Sequence, residues 1–207
     1  MTVVRRQLRP HRDRGAAADR SLAGDAESTR QLGESGAPNI DPDRFRQVLG
    51  HLPTGVTVVT AHHPSGPVAM SANSVTSVSL DPPLILFCPA KSSTSWPKIR
   101  EAGRFCVNVF AAHHEEASRR FAAPAVDRFE GVAWHPRPAG PALDDAVAWI
   151  ECTIDAESPA GDHLIVLGAV DQLDTRGGES APLVFYRGQY GSFSARRADT
   201  PDPRQRP

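Results

Sequence analysis

Residues 69–96 have the sequence AMSANSVTSVSLDPPLILFCPAKSSTSW, from which the first strands of the fold can be predicted. Residues 69–79 contain β-branched side chains typical of a strand, but most of the others are small and hydroxylated or amidic. Pro82 and Pro83 end this segment, because proline has no N–H to donate to a strand ladder. The run LILF at 84–87 is continuous and apolar, as expected of a buried strand. We therefore predict two successive strands, the first of which presents a small, polar and uncharged wall.

The other strands and helices follow from hydrophobic patterning and turn residues on either side of this stretch. Further strands are predicted at residues 54–61, 104–110, 148–157, 163–173 and 182–188, with a short one at 190–193. Short helices are predicted at residues 41–50, 95–103 and 113–122. The first helix has one apolar face, formed by Phe45, Val48, Leu49 and Leu52 at helical spacing. Residues 126–143 are rich in proline and glycine and are interpreted as an irregular excursion. Because strands and helices do not alternate regularly, the pattern predicts a mainly β fold, an antiparallel β-barrel with a few short helices.

Composition indicates one globular domain with two flanking segments. The chain has 207 residues, 40% of them hydrophobic, and a formal net charge of −1, so a basic surface for nucleic acid is not expected. Residues 1–38 lack hydrophobic periodicity and are predicted to be a disordered leader, and residues 195–207 a disordered tail. The domain is expected to span residues 39–194. Its apolar runs are too short to cross a bilayer, and no secretory signal is recognised.

The cysteines indicate a reducing environment. Cys88, Cys106 and Cys152 are odd in number and widely spaced, and no CxxC pair occurs. Each lies in an apolar run, so all three are predicted to be buried, unreactive thiols in a cytoplasmic protein.

The segment Lys91–Ser95 is the strongest local candidate for a ligand site. It follows a buried strand, contains four hydroxyl side chains and one lysine, and leads into a predicted helix, so it could bind a phosphate. A solvated loop in which Ser95 merely caps the helix explains the same residues equally well. No GxGxxG or GxxxxGK[ST] pattern is present, which excludes Rossmann and P-loop phosphate binding.

The histidines give a second candidate. Gly161-Asp162-His163 directly precedes a buried strand, which places His163 at the mouth of that strand, although such a histidine taken alone is more often an ordinary turn residue. The pairs His62-His63 and His113-His114 resemble metal ligands, but adjacent side chains are expected to diverge, so both pairs are interpreted as surface residues without a metal. No GxSxG nucleophile elbow is present, so the sequence does not indicate a hydrolase.

Six motifs in order resemble one family. FRQVLGHLPTGVTVVTA, the opening stretch at 69–96, GRFCVNVF, RRFA followed by DRFEGVAW, GDHLIVLGAV and PLVFYRGQYG are together similar to the short-chain flavin reductases. These enzymes are the reductase components of two-component flavin-dependent monooxygenases. The resemblance covers about residues 41–193 and implies a Greek-key-like split β-barrel, usually a homodimer, that uses NADH to reduce free FAD or FMN. NADPH is less favoured, because the sequence near Gly161 has no evident arginine cluster for its 2′-phosphate. Reduced flavin is then supplied to a partner monooxygenase, if necessary by diffusion alone.

The resemblance also implies a set of site residues. The isoalloxazine ring would lie against Ala69, Met70, Ser71, Asn73 and Ser74, and the ribityl chain would be followed by Cys88, Pro89 and Ala90. The phosphate would be bound by Thr94 and Ser95, and the adenine of FAD would be approached by Arg120 and Phe121. The nicotinamide would meet Gly161, Asp162 and His163, and Tyr190 would close the site. His163 is the candidate catalytic residue, as an organiser of the nicotinamide or a donor near the flavin. Relatives often have glycine at the position of Ala69, where alanine permits a less close backbone approach.

Three other functions are compatible with parts of the pattern: an FMN oxidase of the pyridoxamine-phosphate oxidase type on a related split barrel, a non-enzymatic flavin- or haem-binding module, and a barrel that serves only as an interaction domain. An oxidase would need a basic site for the substrate phosphate, whereas Lys91 and Lys98 are the only lysines. Sequence does not distinguish FAD from FMN, because clamps for one and two phosphates look alike at this level.

Overall fold

The computed structural model describes residues 40–123, 127–177 and 180–195. The predicted leader, residues 1–38, and the predicted tail after residue 195 lie outside the described residues. No helix in the described part of the chain is long and apolar enough to cross a membrane.

Three short helices, one 3-10 turn and twelve strands make up the described chain. The helices are α1 (Pro42–Leu49), α2 (Trp96–Ala102) and α3 (Glu115–Ala122), and the 3-10 turn Ala112–His114 leads into α3. The strands are β1 (Thr54–Gly55), β2 (Thr57–His63), β3 (Gly66–Ala72), β4 (Thr76–Leu80), β5 (Pro83–Phe87), β6 (Arg104–Val109), β7 (Trp134–Arg137), β8 (Gly140–Leu143), β9 (Ala148–Ala160), β10 (His163–Thr175), β11 (Leu183–Tyr186) and β12 (Gln189–Ser192).

All ladders between these strands are antiparallel, which confirms the predicted mainly β class. The largest sheet has seven strands in the order β3-β2-β6-β9-β10-β5-β4. A second sheet of three strands has the order β1-β11-β12, and β7 and β8 form a separate hairpin.

The connection between β3 and β4 shows that the large sheet is rolled. These strands are consecutive in the chain but lie at opposite edges of the seven-stranded sheet. The edges of a flat sheet of that size would be about 29 Å apart. The chain from Ala72 to Thr76 can span only about 14 Å. The sheet must therefore curl until its edges approach each other, which is the geometry of a barrel that remains split where β3 and β4 share no ladder.

Two hydrophobic clusters cover the two faces of β2. Val59 and Ala61 pack in a cluster with Phe87, Ile99 and Phe105. Val58, on the other face, packs in a second cluster that contains Phe110, Phe121, Trp149 and Leu183. Because both faces are covered, the first five residues of β2 are all buried, including the polar Thr57 and Thr60.

The free thiols are buried as predicted at two of the three positions. Cys106 and Cys152 are buried, and Cys88 is half-buried. Burial raises the pKa of Cys106 and of Cys152 to about 12, so both stay protonated and unreactive at neutral pH.

Three expectations about local structure need correction. Residues 69–79 are not one strand, because β3 ends at Ala72 and β4 begins at Thr76. Residues 126–143 are not wholly irregular, since they contain the β7–β8 hairpin. Helix α1 begins after Asp41 and ends before Gly50 as predicted, but none of its residues is buried, so its apolar face is exposed.

The β8 strand is fastened to the large sheet by one buried amide. The Oδ1 atom of Asn108 accepts a hydrogen bond from Leu143 N at 2.7 Å, while its Nδ2 atom donates to Val58 O at 3.2 Å. Gly140 lies so close to β2 that an added Cβ would be 2.6 Å from Thr60 O. These contacts hold the hairpin, and the chain that leads into it, against the sheet.

Candidate functional site

Three adjoining cavities lie beside β3. The Tyr190 cavity, of about 160 Å³, is lined by Val56, Ser71, Asn73, Ala122, Phe185 and Tyr190. The loop cavity, of about 350 Å³, is lined by Met70, Ser71, Ser92, Ser93, Thr94, Ser95, Phe121, Ala122 and Arg128. The Lys98 cavity, of about 380 Å³, is lined by Pro67, Val68, Ala69, Thr94, Ser95, Lys98, Asp127, Arg128 and Phe129. Shared lining residues place the loop cavity between the other two, so the three form one row.

The loop before α2 contributes hydroxyl groups to the middle of this row. Its turn is closed by a bond from Ser93 N to Ala90 O at 2.9 Å, and the Ser93 hydroxyl accepts a bond from Trp96 N at 3.2 Å. Ser95 precedes α2, as predicted, but its side chain makes no capping bond to the helix. The Ser95 hydroxyl bonds instead to Arg128, so its role is to hold that guanidinium.

Arg128 is the main residue that sequence reasoning did not identify. Its Nη1 atom donates to Ala69 O at 2.7 Å and to the Ser95 hydroxyl, and its Nη2 atom donates to Ala123 O at 3.3 Å. The guanidinium therefore joins β3, the start of α2 and the end of α3, and it forms a wall between the loop cavity and the Lys98 cavity. A fixed cation beside a row of hydroxyls is suited to bind a phosphate.

The wall formed by β3 is small and uncharged, as the sequence predicted. Ser71 lines both the Tyr190 cavity and the loop cavity, and Asn73 lines the first of them. None of the residues that line these two cavities carries a carboxylate. A flat, neutral ring can approach this surface without meeting a carboxylate.

Tyr190 is held in position by helix α3. Its hydroxyl lies 3.0 Å from the hydroxyl of the buried Ser118, and the Arg119 guanidinium lies 4.9 Å from the centre of its ring. The Tyr190 ring also packs edge-on against Phe185 at 5.2 Å. These contacts fix Tyr190 as the end wall of the cavity that carries its name.

Gly161, Asp162 and His163 form the turn between β9 and β10. The segment from Pro89 to Lys91 runs beside this turn, with bonds from Leu164 N to Pro89 O at 3.0 Å and from Lys91 N to Asp162 O at 2.9 Å. Gly161 has φ of 62°, a left-handed conformation that favours glycine.

The carboxylate of Asp162 orients the His163 ring. Its Oδ1 atom lies 2.8 Å from His163 Nδ1, and this hydrogen bond, followed by the charge of His163, lowers the pKa of Asp162. With Nδ1 directed at the carboxylate, Nε2 is left available to a ligand.

The predicted site residues thus separate into two groups. Those that line the three cavities are Ala69, Met70, Ser71, Asn73, Thr94, Ser95, Phe121 and Tyr190. Those that do not line them are Ser74, Cys88, Pro89, Ala90, Arg120, Gly161, Asp162 and His163. Two members of the second group are joined to each other, because the Ser74 hydroxyl accepts a bond from Cys88 N at 2.9 Å. The Arg120 guanidinium does not line these cavities and donates to the carbonyl of Glu130.

The histidine pairs differ from expectation. The His113 and His114 rings do not diverge but lie 4.1 Å apart between centres, and ligand atoms of both lie within 4.8 Å of Asp145. His114 Nδ1 accepts a bond from Ala111 N at 3.0 Å, so its proton resides on Nε2 and that nitrogen has no lone pair for a metal. Arg176 already pairs with Asp145. The two rings are therefore close, but the arrangement does not favour a cation. His63 is also not a surface residue, since its side chain is only 13% exposed.

Comparison with known proteins identifies the family. The sequence profile described as "Flavin reductase like domain" matches residues 49–194, and the chain belongs to this family. It is 49% identical to a flavin reductase of Pseudomonas putida over 75% of this chain and 92% of that protein. It is 44% identical to the reductase subunit HsaB of a flavin-dependent monooxygenase from Mycobacterium tuberculosis, over 73% of this chain and 82% of the subunit.

Solved structures share the fold. Component B of a nitrilotriacetate monooxygenase from Mycobacterium thermoresistibile is 40% identical with a TM-score of 0.71, over 76% of this chain and 93% of that one. An NADH:FAD oxidoreductase of Streptomyces globisporus, in complex with NAD and FAD fragments, is 37% identical with a TM-score of 0.68, over 80% of this chain and all of that one. The split-barrel prediction is confirmed by these relationships.

Proposed function

We propose that the protein is an NADH-dependent flavin reductase that supplies reduced FAD or FMN to a partner monooxygenase. The observation that carries this proposal is the row of three cavities, in which an uncharged β3 wall leads to a hydroxyl loop and the Arg128 guanidinium. The relatives that are reductase subunits of flavin-dependent monooxygenases support the second half of the proposal.

The residues present fit a flavin. Ser71 and Asn73 are neutral donors beside a surface without carboxylates, where the polar edge of the ring would lie. Thr94 and Ser92 with Arg128 would bind the phosphate, since hydroxyls and a guanidinium are its preferred partners. When bound, the flavin accepts a hydride from the reduced nicotinamide, and these cofactors carry that chemistry themselves.

The chain's own residues supply alignment and electrostatics. Neutral donors such as Asn73 stabilise negative charge that develops on a bound ring without the cost of burying a lysine. Tyr190, fixed through Ser118, limits how far a ligand can penetrate. His163, oriented by Asp162, would present Nε2 to the nicotinamide.

We also propose that two copies pair through α1. The residues Phe45, Val48 and Leu49 form the apolar face of this amphipathic helix and are nevertheless exposed. Leu52, just after the helix, is 62% exposed. A second copy that presents the same face would bury both, as isologous dimers do. Because the three cysteines are free thiols, we place the protein in a reducing compartment such as the cytoplasm. The proposed domain limits are residues 39–194, between a leader at 1–38 and a tail at 195–207.

The decisive experiment is NADH oxidation by the purified full-length protein, followed at saturating NADH with and without added FAD, FMN or riboflavin. Activity that requires added flavin supports the reductase. Activity without added flavin, together with protein that purifies yellow, indicates an oxidase of the pyridoxamine-phosphate oxidase type. Flavin binding without any turnover, with either nicotinamide, would overturn the proposed function.

A further inference from the structure

The resemblance to flavin reductases assigns no role to Lys98, Asp127 or Phe129 of the Lys98 cavity. This cavity is the largest of the three adjoining cavities, and it continues the row beyond the hydroxyl loop. Thr94, Ser95 and Arg128 belong to both this cavity and the loop cavity. A ligand whose phosphate lies in the loop cavity can therefore extend past Arg128 into the Lys98 cavity without leaving the protein surface.

The charges of this cavity are suited to a second phosphate. Lys98 is exposed on α2, and no carboxylate of the described residues lies within 4.0 Å of its ammonium group. Arg128 likewise has only neutral partners, namely two carbonyls and one hydroxyl, among the residues described. Two cations without carboxylate partners, one fixed and one on a flexible stem, line a single cavity. Such a pair attracts the two adjacent charges of a pyrophosphate.

The remaining walls are suited to a nucleoside. Pro67, the buried Val68 and the half-buried Phe129 provide an apolar surface for a heteroaromatic base. The Asp127 carboxylate is exposed, and its Oδ1 atom accepts a bond from Phe129 N at 3.0 Å. Its other oxygen can accept from a ribose hydroxyl. Arg120, which the resemblance assigned to the adenine, is instead bonded to Glu130 O.

We propose that the Lys98 cavity binds the adenosine monophosphate half of FAD and so makes FAD the preferred flavin over FMN. This inference rests on the proposed function, because it assumes that the flavin phosphate lies in the loop cavity. NADH also carries an adenosine monophosphate group. Two observations favour FAD over NADH as the occupant of the Lys98 cavity. This cavity shares walls with the loop cavity, where the flavin phosphate is proposed to lie, and the predicted nicotinamide residues at 161–163 do not line it.

The test compares Lys98→Gln with Arg100→Gln. Both substitutions remove one positive charge from an exposed position of α2, but Arg100 does not line the cavity and pairs with Glu157 at 3.4 Å. Kd values for FAD and for FMN are measured by quenching of flavin fluorescence in the absence of nicotinamide. We expect Lys98→Gln to raise the Kd for FAD about tenfold, as for the loss of one charge-assisted hydrogen bond, and to leave the Kd for FMN within about twofold. Arg100→Gln should change neither, and AMP should displace FAD from the wild-type protein but not FMN.

Each contrary result is distinct. Equal losses for FAD and FMN in Lys98→Gln would assign Lys98 to the phosphate that both flavins share, and the inference would be wrong. Unchanged Kd values for both flavins in Lys98→Gln would also overturn the inference. So would a raised KM for NADH, measured with riboflavin as acceptor, together with an unaltered ratio of the Kd for FAD to the Kd for FMN. The Kd values are measured without turnover, so they test this inference independently of the proposed function. Failure of the proposed function would instead appear as the absence of NADH oxidation by the wild-type protein.

Discussion

Ser71 is the residue on which the proposed ring site most depends. It lies on β3 opposite Val58, its side chain is half-buried, and it lines two of the three cavities. Ser74, which the sequence places beside it, has a different role, because its hydroxyl holds the backbone of Cys88. Two serines of the same segment therefore shape the site in different ways, one by its small size and the other by a hydrogen bond.

Ser71→Leu should impair flavin binding more than folding. The larger side chain fills space in both cavities, and overpacking of about 1–3 kcal/mol corresponds to a rise in flavin Kd of about 5- to 150-fold. Fluorescence quenching measures the Kd, and thermal unfolding measures stability. Ser77→Leu, on the exposed β4 strand, is the matched control and should leave the Kd unchanged. Normal flavin affinity in Ser71→Leu would place the ring elsewhere.

His163→Ala should raise the KM for NADH more than the KM for flavin. The expected loss is about 10- to 100-fold, the value of one hydrogen bond or aromatic contact made by Nε2. Steady-state kinetics with each substrate varied in turn separates the two constants. His135→Ala removes a similar histidine, paired with Asp144 at 2.8 Å, and should alter neither constant. An unchanged profile for His163→Ala would exclude this residue from the site.

Helix α1 and hairpin β7–β8 differ in how far they are buried against the rest of the molecule. Helix α1 buries no residue of its own, and its C-terminal Gly50 is joined to the body by a bond from Arg187 N to Gly50 O at 2.8 Å. The hairpin, in contrast, contributes β8, whose four residues are all buried. Helix α1 therefore leaves its apolar face exposed, whereas β8 is covered by the rest of the molecule.

Phe45→Glu should convert the proposed dimer into a monomer. The substitution introduces a charge into an apolar interface, where its desolvation is not compensated. Size-exclusion chromatography with light scattering gives the mass of the particle. Gln47→Glu, at an exposed position of the same helix, adds the same charge and should leave the mass of the dimer unchanged. A wild-type monomer, or a dimer that survives Phe45→Glu, would contradict the assignment of α1.

Gly140→Ala should destabilise the protein through β8. An added Cβ would lie 2.6 Å from Thr60 O and 2.9 Å from Ala61 Cα, and neither backbone atom can move aside easily. We expect a loss of about 1–3 kcal/mol in the free energy of unfolding, measured by urea denaturation. Gly55→Ala is the control, because no atom lies within 4 Å of its added Cβ. A loss of equal size in both variants would show that backbone entropy, rather than the close approach, is responsible.

At the scale of the whole molecule, the sequence predicted elements better than contacts between them. Helix α1 and strands β5, β9 and β10 were predicted because their signals are local: caps, prolines and apolar runs. The β7–β8 hairpin was missed because Pro136, Pro138 and Pro141 resemble loop residues, although an isolated hairpin tolerates proline at its edges.

The same distinction explains what was missed at the site. Arg128 has its role through Ala69 and Ser95, which are 59 and 33 residues away in the chain. Its own surroundings, between Asp127 and Phe129, resemble an ordinary turn. The meeting of His114 and Asp145 is equally non-local. Such contacts depend on how the sheet is rolled, and no periodicity in a single sequence encodes that arrangement.

The short connection after β3 has a consequence for the survival of the protein in the cell. It leaves the two edges of the seven-stranded sheet without a ladder between them, and Asn73 of this connection lines the Tyr190 cavity. A ligand that binds only the folded chain, and whose free concentration is 100 times its Kd, adds about 2.7 kcal/mol to the free energy of unfolding. Proteases attack the open form, whose population falls by the same free energy. If flavin binds in this cavity as proposed, saturation with flavin should therefore also slow proteolysis of the protein.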